Sequence, residues 1–597
     1  MRLEKTPLTE RNQPSARGAI WQLRDADARK VLTFSQRYNI PEAIARILVQ
    51  RGIELDEVED FLTPKLKNSL PDPLHLLDME KGATRLAEAI INQEKIAVFG
   101  DYDVDGATSS ALLIRFLRAC NLSTRLYIPD RMSEGYGPNV AAMEKLAAEK
   151  VKLCITVDCG TVSFEPLAAA KKNGLDVIVV DHHLGADILP EALAVINPNR
   201  LDETSKHRNL AAVGVTFLLL IATNSVLTKK DFFLKNPKPD LMQLLDCVAL
   251  GTVCDVMQLT GINRVFVAQG LKIIQQRTNL GLRTLSDIAA LNSPPSSYHL
   301  GFILGPRINA GGRVGKSDLG ARILSTEDPE EALRIAELLE QHNAERKAIE
   351  TQVLEEAMAQ VEALPTLPAM IFVKNHDWHP GVIGIVAGRL KENFHRPVAV
   401  ISMHENIGKA SVRSIEGCDV GKALANAKAR DLLIAGGGHS MAAGFTVAAE
   451  KIDELQQYLC QEFSNNSNLG LPLVNLDIVL SPSAITLDFI ELISQLAPFG
   501  TGNPEPKILL TSVSLFDVKP MKEEHLRARI ADKTAGFSRS ASLSAVAFRV
   551  LGSNLGDMLL NSAGKTLDLV GKAQINSWQG NSNVQFIIED ARLTNHS

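Results

Sequence analysis

The chain has 597 residues, of which 45% are hydrophobic and 22% charged, with a net charge of −6 and a mean hydropathy of +0.02. This length exceeds what one hydrophobic core can organise and predicts about three or four domains. The ordinary composition excludes a disordered or fibrous protein. The acidic balance argues against a protein that coats nucleic acid through bulk charge.

The cysteine pattern and the apolar stretches bear on cellular location. The seven cysteines form no C-x-x-C pair, and several lie in apolar runs, where a thiol acts as a small hydrophobe. The N-terminus lacks the apolar core of a signal peptide, and the longest apolar stretch, around residues 213–222, is too short to cross a bilayer. We therefore predict a reducing, cytoplasmic compartment and no membrane span.

The N-terminal half of the chain is predicted to contain two domains. Residues 1–75 form a small helical lead-in, which ends in the turn-rich Pro71-Asp-Pro73. Residues 76–328 begin with alternating strands and helices, which predict right-handed βαβ units and a mostly parallel sheet. The alternating elements are strand 95–100, helix 106–119, strand 124–128, helix 139–149, strand 152–157, helix 163–173 and strand 176–180. Helices over 206–290 and a glycine-rich loop over 301–315 follow.

The C-terminal half is predicted to contain a long helix and two further domains. A charged segment over 329–362, without glycine or proline in its interior, predicts a connecting helix. Residues 363–464 predict a second α/β lobe that includes a glycine loop at 436–439. Short strands and turns in residues 465–597 predict a compact β-barrel. The predicted fold class is thus α/β, with a parallel-sheet domain, a connecting helix, a second α/β lobe and a terminal barrel.

Four acidic clusters indicate a binuclear metal site. They are Asp101-Tyr-Asp103-Val-Asp105-Gly106, Val157-Asp158-Cys159-Gly160, Asp181-His182-His183 and Cys254-Asp255. The first three follow apolar runs typical of buried parallel strands, whose carboxyl ends meet at one edge of a sheet. Oxygen and imidazole ligands without thiolates suit Mn²⁺ or Mg²⁺.

Each cluster also has a simpler interpretation. Asp105, directly before Gly106, could cap the helix that follows, and one histidine could be a hydrogen-bonded core residue. Three alternating aspartates nevertheless crowd like charges, which costs free energy unless a cation or a proton offsets it. Two adjacent histidines beside Asp181 similarly favour a metal ligand and its hydrogen-bonding partner.

The four clusters together resemble the DHH phosphoesterase superfamily, and the run Gly436–Gly444 resembles the glycine-rich motif of its DHHA1 partner domain. Within that superfamily, the chain is similar to the RecJ family of bacterial single-strand-specific DNA exonucleases, from about residue 20 to the C-terminus. The motifs that carry this similarity lie at residues 98–108, 131–137, 249–255, 305–310 and 378–387. The resemblance implies a metal-dependent 5′ to 3′ exonuclease that degrades single-stranded DNA to mononucleotides in recombination and repair. It also implies two divalent ions, with Mn²⁺ favoured and Mg²⁺ possible.

The resemblance places catalytic and metal-binding residues at matching positions of this chain. The implied catalytic residues are Asp103, Asp105, Asp158, His182, His183 and Asp255. The implied metal ligands are Asp101, Asp103, Asp105, Asp158, His182 and Asp255, with Asp158 as the bridge. Asp101, Asp181 and His183 match positions that either bind a metal or hydrogen-bond its ligands, and the sequence leaves both roles open.

The resemblance also implies DNA-binding residues. Those expected at a terminal 5′-phosphate are Arg131, Tyr136, Ser411 and Arg413, since guanidinium groups bind phosphates by paired hydrogen bonds. Those expected at other phosphates are Arg307, Gly437, Gly438 and His439. Each arginine alone would equally fit a surface ion pair.

The barrel resembles an OB-fold, a module that binds single strands through basic groups and stacked bases. Its candidate DNA-binding residues are His525, Arg527, Arg529 and Trp578. They lie in or near a basic run between Lys519 and Arg549, whose charge alone would also fit a solvated face. Aromatic residues in a small barrel also commonly belong to its core.

Two alternatives to the exonuclease interpretation remain. A small-substrate DHH phosphodiesterase would act on short oligonucleotides or cyclic dinucleotides, but such enzymes typically lack the connecting helix and the barrel. A catalytically inactive scaffold would lack metal ligands, whereas every expected acid and histidine is present. The expected partner is single-stranded DNA with a 5′ end, and the resemblance adds a single-strand-binding protein and a helicase as possible protein partners.

Overall fold

The computed structural model divides into two compact units. The first unit contains residues 63–347 and 497–504, and the second contains 1–62, 348–496 and 505–597. Only the backbone is described at 314, 577, 578, 581 and 582. The residues that the structure describes are 15–131, 133–466, 469–470, 472–522, 524–532, 542–578 and 581–594.

The helices and strands follow one another along the chain in three stretches. The elements before residue 63 are β1 (Ile20–Leu23), α1 (Ala28–Tyr38), α2 (Glu42–Gln50) and α3 (Val58–Leu62). Those from residue 63 to the long helix are α4 (Leu66–Ser69), α5 (Met79–Ile91), β2 (Ile96–Gly100), α6 (Val104–Ala119), β3 (Thr124–Tyr127), α7 (Val140–Ala148), β4 (Leu153–Val157), α8 (Phe164–Lys172), β5 (Asp176–Val180), β6 (Ala194–Ile196), α9 (Ala212–Lys229), α10 (Leu245–Cys254), α11 (Gly261–Gln276), α12 (Leu280–Ile288), α13 (Ser297–His299), α14 (Gly305–Val314), α15 (Leu319–Ser325) and α16 (Pro329–Glu362). Those after it are β7 (Ile371–Asn375), α17 (Ile383–Phe394), β8 (Val398–His404), β9 (Ile407–Arg413), α18 (Val420–Ala429), β10 (Ala435–Gly438), β11 (Ala442–Ala448), α19 (Ile452–Phe463), β12 (Leu473–Leu476), β13 (Ile478–Leu480), α20 (Leu487–Ser494), β14 (Ile508–Met521), β15 (His525–Asp532), β16 (Leu543–Ala547), α21 (Asn554–Leu560), β17 (Leu567–Trp578) and β18 (Asn581–Leu593).

A five-stranded parallel sheet in the order β3-β2-β4-β5-β6 organises the first unit. Every residue of β2 and β4 is buried, as expected for strands with helices on both faces. Ile96 and Val98 lie in a core shared with α6, α9 and α10, whereas Ala97 and Phe99 lie in a core shared with α7 and α8. The alternation confirms the predicted α/β class with a parallel sheet.

Two larger sheets organise the second unit. The mixed sheet has the order β10-β11-β9-β8-β7, in which only β7 and β8 are parallel neighbours. The strands β14, β15, β16, β18 and β17 close into a barrel through the pairing of β14 with β17. Helix α20 precedes the barrel strands and α21 lies between β16 and β17, and the sequence pattern predicted neither helix.

The predicted glycine-rich loop over 301–315 is wrong, because the segment is helical. It continues from α13 through a π-helical turn, Leu300–Leu304, into α14. Its glycines allow close packing and do not break the helix: a Cβ at Gly305 would lie 2.5 Å from Cys254 Sγ. Similarly, a Cβ at Gly312 would lie 2.9 Å from the carbonyl oxygen of Tyr102.

Two further segments contain strands that the sequence pattern did not predict. The glycines of the predicted 436–439 loop lie in β10, where Gly437 pairs with Gly444 of β11, and a turn closed by His439 N–H and Ala442 O follows. The predicted helical lead-in also contains β1, whose Trp21 pairs in parallel with Val474 of β12. The partner of β1 lies more than 400 residues away in sequence, so local pattern gives no sign of it. The glycines of β10 have no side chains that could show an alternating strand pattern.

Helix α9 is the one helix in the described ranges that is long and apolar enough to cross a membrane. The apolar stretch that appeared too short in the sequence continues as helix to Lys229. However, 67% of this helix is buried inside the protein, and its apolar side chains belong to the core of the first unit. Packing against α5, α6 and α10 therefore accounts for its composition.

Candidate metal centre

Acidic side chains gather at the carboxyl edge of the parallel sheet. Asp101 follows β2, Asp158 follows β4 and Asp181 follows β5, and these three strands are neighbours. Three overlapping groups have ligand atoms that all lie within 4.8 Å of one another: Asp101, Asp103 and Asp158; Asp105, His182 and Asp255; and Asp158, His182 and His183. The first two groups share no residue, and the third overlaps the first through Asp158 and the second through His182.

The imidazole of His182 lies at the middle of this cluster. Its Nε2 atom is 3.3 Å from Asp158 Oδ1, 3.5 Å from Asp255 Oδ2 and 3.8 Å from Asp105 Oδ2. Burial, reinforced by His183, lowers the pKa of His182 to about 4. The ring is therefore neutral at physiological pH and has a lone pair for a metal.

The carboxylates of the cluster are buried and crowded together, which favours a bound cation. Burial and neighbouring charges raise the pKa of Asp101 and of Asp255 to about 7, and raise the pKa values of Asp105 and Asp158 well above the ordinary range. Asp101 Oδ1 and Asp255 Oδ2 are buried without a hydrogen-bond partner. A divalent ion would neutralise this charge and occupy these oxygens, and the oxygen and imidazole donors fit Mn²⁺ or Mg²⁺.

Asp105 also fixes the start of α9. Its two oxygens accept the backbone N–H groups of Ala212 at 2.7 Å and Val213 at 2.9 Å. The residue that precedes α9, Ala211, supplies no side-chain acceptor of its own. Asp105 therefore satisfies the free N–H groups at the helix start from another element, and its position is set by two helices at once.

Asp181 orients the histidines. Its Oδ1 atom accepts His183 Nδ1–H at 2.7 Å and the backbone N–H of His182 at 2.8 Å, and its Oδ2 atom accepts the N–H of Thr161 at 3.1 Å. Burial disfavours the charged form of His183, but the hydrogen bond and charge of Asp181 outweigh it and raise the pKa of His183. Among the described residues, Asp181 is in none of the three groups of clustered ligand atoms and instead contacts the two histidines, which is the geometry of a residue that positions ligands.

The predicted residues Tyr136 and Arg131 both lie at the cluster. The Tyr136 hydroxyl donates to the carbonyl oxygen of Asp158 at 2.8 Å and lies 3.2 Å from His183 Nδ1. The Arg131 guanidinium lies over the ring of Tyr102, 5.1 Å from its centroid. Asp158 adopts a left-handed backbone with φ of 61°, which turns its carboxylate into the cluster directly after the strand.

Two arginines and an asparagine near this cluster were not among the predicted residues. Burial and the charges of Arg131 and Arg346 lower the pKa of Arg313 to about 10, and Asp103 opposes this effect. Arg131, Arg313 and Arg346 thus place positive charge beside the acids. Arg313 follows two glycines in the segment that was predicted as a loop. Asn197 Nδ2 donates at 2.8 Å to both Thr161 Oγ1 and the carbonyl oxygen of His183, and no sequence motif signalled it.

Arg307 has its donors engaged inside the first unit. The guanidinium donates to both carboxylate oxygens of Glu340, at 2.5 and 3.2 Å, and to the carbonyl oxygen of Ile303 at 2.7 Å. The residue is 9% exposed. A DNA contact by Arg307 would require this pair to open, so the geometry favours the ion-pair alternative.

In the second unit, Ser411 and Arg413 lie on one face of β9 near the start of α17. A Cβ at Gly384 would lie 3.0 Å from Ser411 Oγ and 3.4 Å from Arg413 Nη2. Ser411 pairs with Gly444, which pairs in turn with Gly437. The two residues next to Ser411 across the sheet are therefore glycines, which leave their backbone uncovered. A guanidinium, a hydroxyl and the N–H groups of a helix start together suit an anion such as a phosphate.

The remaining candidates lie at the edges of the second unit. His439 and Gly438 are exposed at the end of the β10–β11 hairpin. On the barrel strand β15, Arg527 is exposed, Arg529 Nε donates to Ser542 Oγ at 2.7 Å, and His525 Nδ1 accepts the N–H of Arg549 at 3.0 Å. The side chain of Trp578 lies outside the described residues.

Three family models match consecutive parts of the chain. The DHH family N-terminal domain matches residues 95–252, the DHHA1 domain matches 367–465 and the RecJ OB domain matches 476–590. The single-stranded-DNA-specific exonuclease RecJ of Escherichia coli is 34% identical over 571 residues, which cover 92% of this chain and 96% of that protein. The protein of the same name from Bacillus subtilis is 33% identical over 587 residues, which cover 96% and 71% of the two chains.

Solved structures give the same result for the fold. RecJ from Thermus thermophilus in complex with Mn²⁺ superposes with a TM-score of 0.80 at 28% identity, over 97% of this chain and 80% of that chain. The Mg²⁺ complex gives a TM-score of 0.75 at 27% identity, over 97% and 79%. The extent of identity with the curated exonucleases shows that this chain belongs to the RecJ family of single-stranded-DNA-specific exonucleases.

Proposed function

We propose that this protein is a metal-dependent exonuclease that degrades single-stranded DNA from its 5′ end to mononucleotides. The observation that carries the proposal is the cluster of carboxylates and imidazoles at the sheet edge, in a chain of the RecJ family. The related structures contain Mn²⁺ or Mg²⁺, and the donor set here suits either ion. We favour Mn²⁺ because two imidazoles lie among the carboxylates.

The ligands divide between two cations in this proposal. Asp103 and Asp158, with Asp101 beside them, would hold one cation, and Asp105, His182 and Asp255 would hold the other. Asp158 would bridge them. Bound ions of this kind lower the pKa of a water and offset the charge of a phosphodiester and its leaving oxygen.

The chain's own groups support this chemistry around the cations. Asp181 holds the His183 ring through its Nδ1 atom, so that the other ring nitrogen faces away from Asp181. Tyr136 anchors the backbone of Asp158 and leaves 51% of its own surface exposed, where a substrate can contact it. Arg131, Arg313 and Arg346 supply positive charge for phosphates near the acids.

The 5′ direction requires a site for a terminal phosphate, and we propose that the second unit contains it. Ser411 and Arg413 lie close to the start of α17 and beside Gly444 of the neighbouring strand. This arrangement of donors suits a terminal phosphate with two negative charges. We propose that Ser411 and Arg413 bind the 5′-terminal phosphate in the second unit. In the first unit, we propose that Arg131 and Tyr136 bind DNA beside the acidic cluster. We also retain the predicted domain division, in which residues 76–328 carry the cations, 363–464 this phosphate site and 465–597 the single-strand-binding barrel.

Digestion of a long single-stranded DNA that carries separate labels at its two ends tests the proposal. We expect the 5′ label to be released first as a mononucleotide, with Mn²⁺ or Mg²⁺ but not with EDTA. The Asp158→Ala variant should release neither label. Release of the 3′ label first would contradict the direction. Turnover of dinucleotides without cleavage of long DNA would favour the small-substrate phosphodiesterase. A role in recombination and repair, in the cytoplasm with a single-strand-binding protein and a helicase, is part of the same proposal.

A further inference from the structure

Two large aromatic side chains stand exposed on one helical segment of the first unit. Tyr298 is 60% exposed and Phe302 is 70% exposed. Their rings are stacked, with centroids 5.1 Å apart and planes at 26°. Tyr298 also lies edge-to-face with His299, with ring centroids 5.9 Å apart. Large apolar side chains that are exposed side by side often mark a binding surface.

The backbone around Phe302 departs from a regular α-helix. Pro306 lacks an N–H group, and its ring would collide with the carbonyl of the residue four positions earlier, which is Phe302. The chain accommodates this with the π-helical turn Leu300–Leu304, a distortion that is frequent at functional sites. The exposed Phe302 side chain therefore belongs to a helical turn that continues into α14, and not to a frayed end.

This segment is fixed to the end of α10 that carries Asp255. A Cβ at Gly305 would lie 2.5 Å from Cys254 Sγ, so only glycine allows the two helices to approach this closely. Cys254 Sγ also donates to the carbonyl oxygen of Leu300 at 3.4 Å. The aromatic pair thus has a fixed position relative to a candidate metal ligand, through direct contacts inside one unit.

The residue after Asp255 adds a second unusual exposure. Val256 has a φ of 57° and is 66% exposed. A β-branched residue is rarely found in this left-handed region, because its side chain is strained there. A strained backbone and an exposed apolar side chain thus directly follow the proposed metal ligand Asp255.

We propose that Tyr298 and Phe302 form a stacking platform for a nucleobase of the single strand whose backbone passes the metal centre. This inference rests on the proposed function. A base has two apolar faces that are free in a single strand and covered in a duplex, so the platform would select single strands without reading sequence. Loss of one such contact weakens binding by about 5- to 150-fold.

The test compares the full-length protein with Tyr298→Ala, Phe302→Ala, Phe302→Leu and Phe302→Tyr. Leu234→Ala serves as the control, because Leu234 is 81% exposed and lies beyond the end of α9, roughly 27 Å along that helix from Ala212. Binding of a fluorescent single-stranded oligonucleotide is measured by anisotropy in EDTA, and KM and kcat are measured with Mn²⁺. A series of oligonucleotides with one abasic position, moved stepwise along the strand, locates the stacked base.

We expect Phe302→Ala and Phe302→Leu to raise Kd and KM by about 10-fold, with kcat changed less than about 2-fold, and Phe302→Tyr to restore them. The wild type should lose affinity at one abasic position, and Phe302→Ala should lose that dependence. Unchanged Kd, KM and abasic profile in Phe302→Ala would overturn the platform and favour a protein-docking role for the pair. If the wild type binds DNA through Phe302 but does not hydrolyse it, the proposed function fails while the platform stands.

Discussion

Asp181 contacts His183 in the way expected of a residue that would position a metal ligand. Asp181 uses both oxygens to accept hydrogen bonds from the backbone and from His183, and it thereby fixes the orientation of that ring. Partners of this kind orient a ligand and raise its basicity. The sequence left open whether Asp181 binds a metal or positions a ligand, and its hydrogen bonds favour the positioning role.

Substitution of Asp181 tests this positioning role. Asp181→Asn should lower Mn²⁺ affinity and kcat about 10- to 100-fold, because the amide holds the His183 ring more weakly and in a different protonation state. Titration calorimetry with Mn²⁺ and steady-state hydrolysis give the two values. Asp176→Asn, at the opposite end of β5 and paired with Arg85, is the matched control and should change neither. Equal metal affinity in Asp181→Asn and wild type would contradict the role.

The protonation of the carboxylates couples stability to pH and to metal. Without a cation, Asp101 and Asp255 have pKa values of about 7, above the value of about 3.9 for an unfolded aspartate. Between these values the folded protein binds more protons than the unfolded chain, so its stability is greatest below this window and falls as pH rises through it.

Thermal unfolding in EDTA should therefore show a Tm that falls between about pH 5 and pH 8. Added Mn²⁺ should raise Tm most at the upper end, because fewer protons compete with the metal there. The double substitution Asp101→Asn with Asp255→Asn should flatten the EDTA profile. A Tm that rises with pH in EDTA would contradict the assigned pKa directions.

At the scale of elements, the start of α6 shows how close packing shapes the centre. A Cβ at Gly106 would lie 2.4 Å from the carbonyl oxygen of Asp101, so glycine lets the helix start against the strand end. Gly106→Ala should push the start of α6 away from the end of β2 and destabilise the protein by about 1–3 kcal/mol. The displaced carboxylates should then bind Mn²⁺ several-fold more weakly.

Urea unfolding and metal titration measure these two effects. Gly388→Ala in α17 is the matched control, because no atom lies within 4 Å of its Cβ position and alanine is the better helix former. It should be neutral or stabilise by up to about 1 kcal/mol. A Gly106→Ala protein with wild-type metal affinity would show that this approach does not shape the site.

The sequence predicted the sheet because local pattern and topology agree there. The strands β2, β4 and β5 are apolar runs followed by acids, and neighbouring parallel strands end at one edge, which brings Asp101, Asp158 and Asp181 together. Contacts between distant elements were not predictable. The Asp105 cap on α9 and the Tyr136 hydrogen bond to Asp158 depend on tertiary packing. The glycines of 301–315 suggested a loop because packing glycines and turn glycines look alike in sequence.

At the scale of the whole molecule, the two units have different tasks in the proposed function. The first unit carries the acids and histidines, and the second carries Ser411 and Arg413, which we propose to bind the terminal phosphate. A substitution in the second unit should therefore change how DNA ends bind without changing how metals bind.

Arg413→Ala tests this division. It should lower kcat/KM for 5′-phosphorylated single strands about 10- to 100-fold, the loss expected for a charge-assisted hydrogen bond, and affect 5′-hydroxyl ends much less. Mn²⁺ affinity should be unchanged. Lys409→Ala removes a positive charge from the same face of β9 and should have little effect. Equal losses on both kinds of end would contradict a terminal-phosphate site.

The most direct test of the binuclear centre is anomalous diffraction from crystals of the protein grown with Mn²⁺. We predict two Mn²⁺ peaks at the edge of the parallel sheet, both in contact with Asp158, one beside Asp103 and the other beside Asp105, His182 and Asp255. A single peak, or peaks outside this cluster, would contradict the binuclear centre on which the proposed hydrolysis depends.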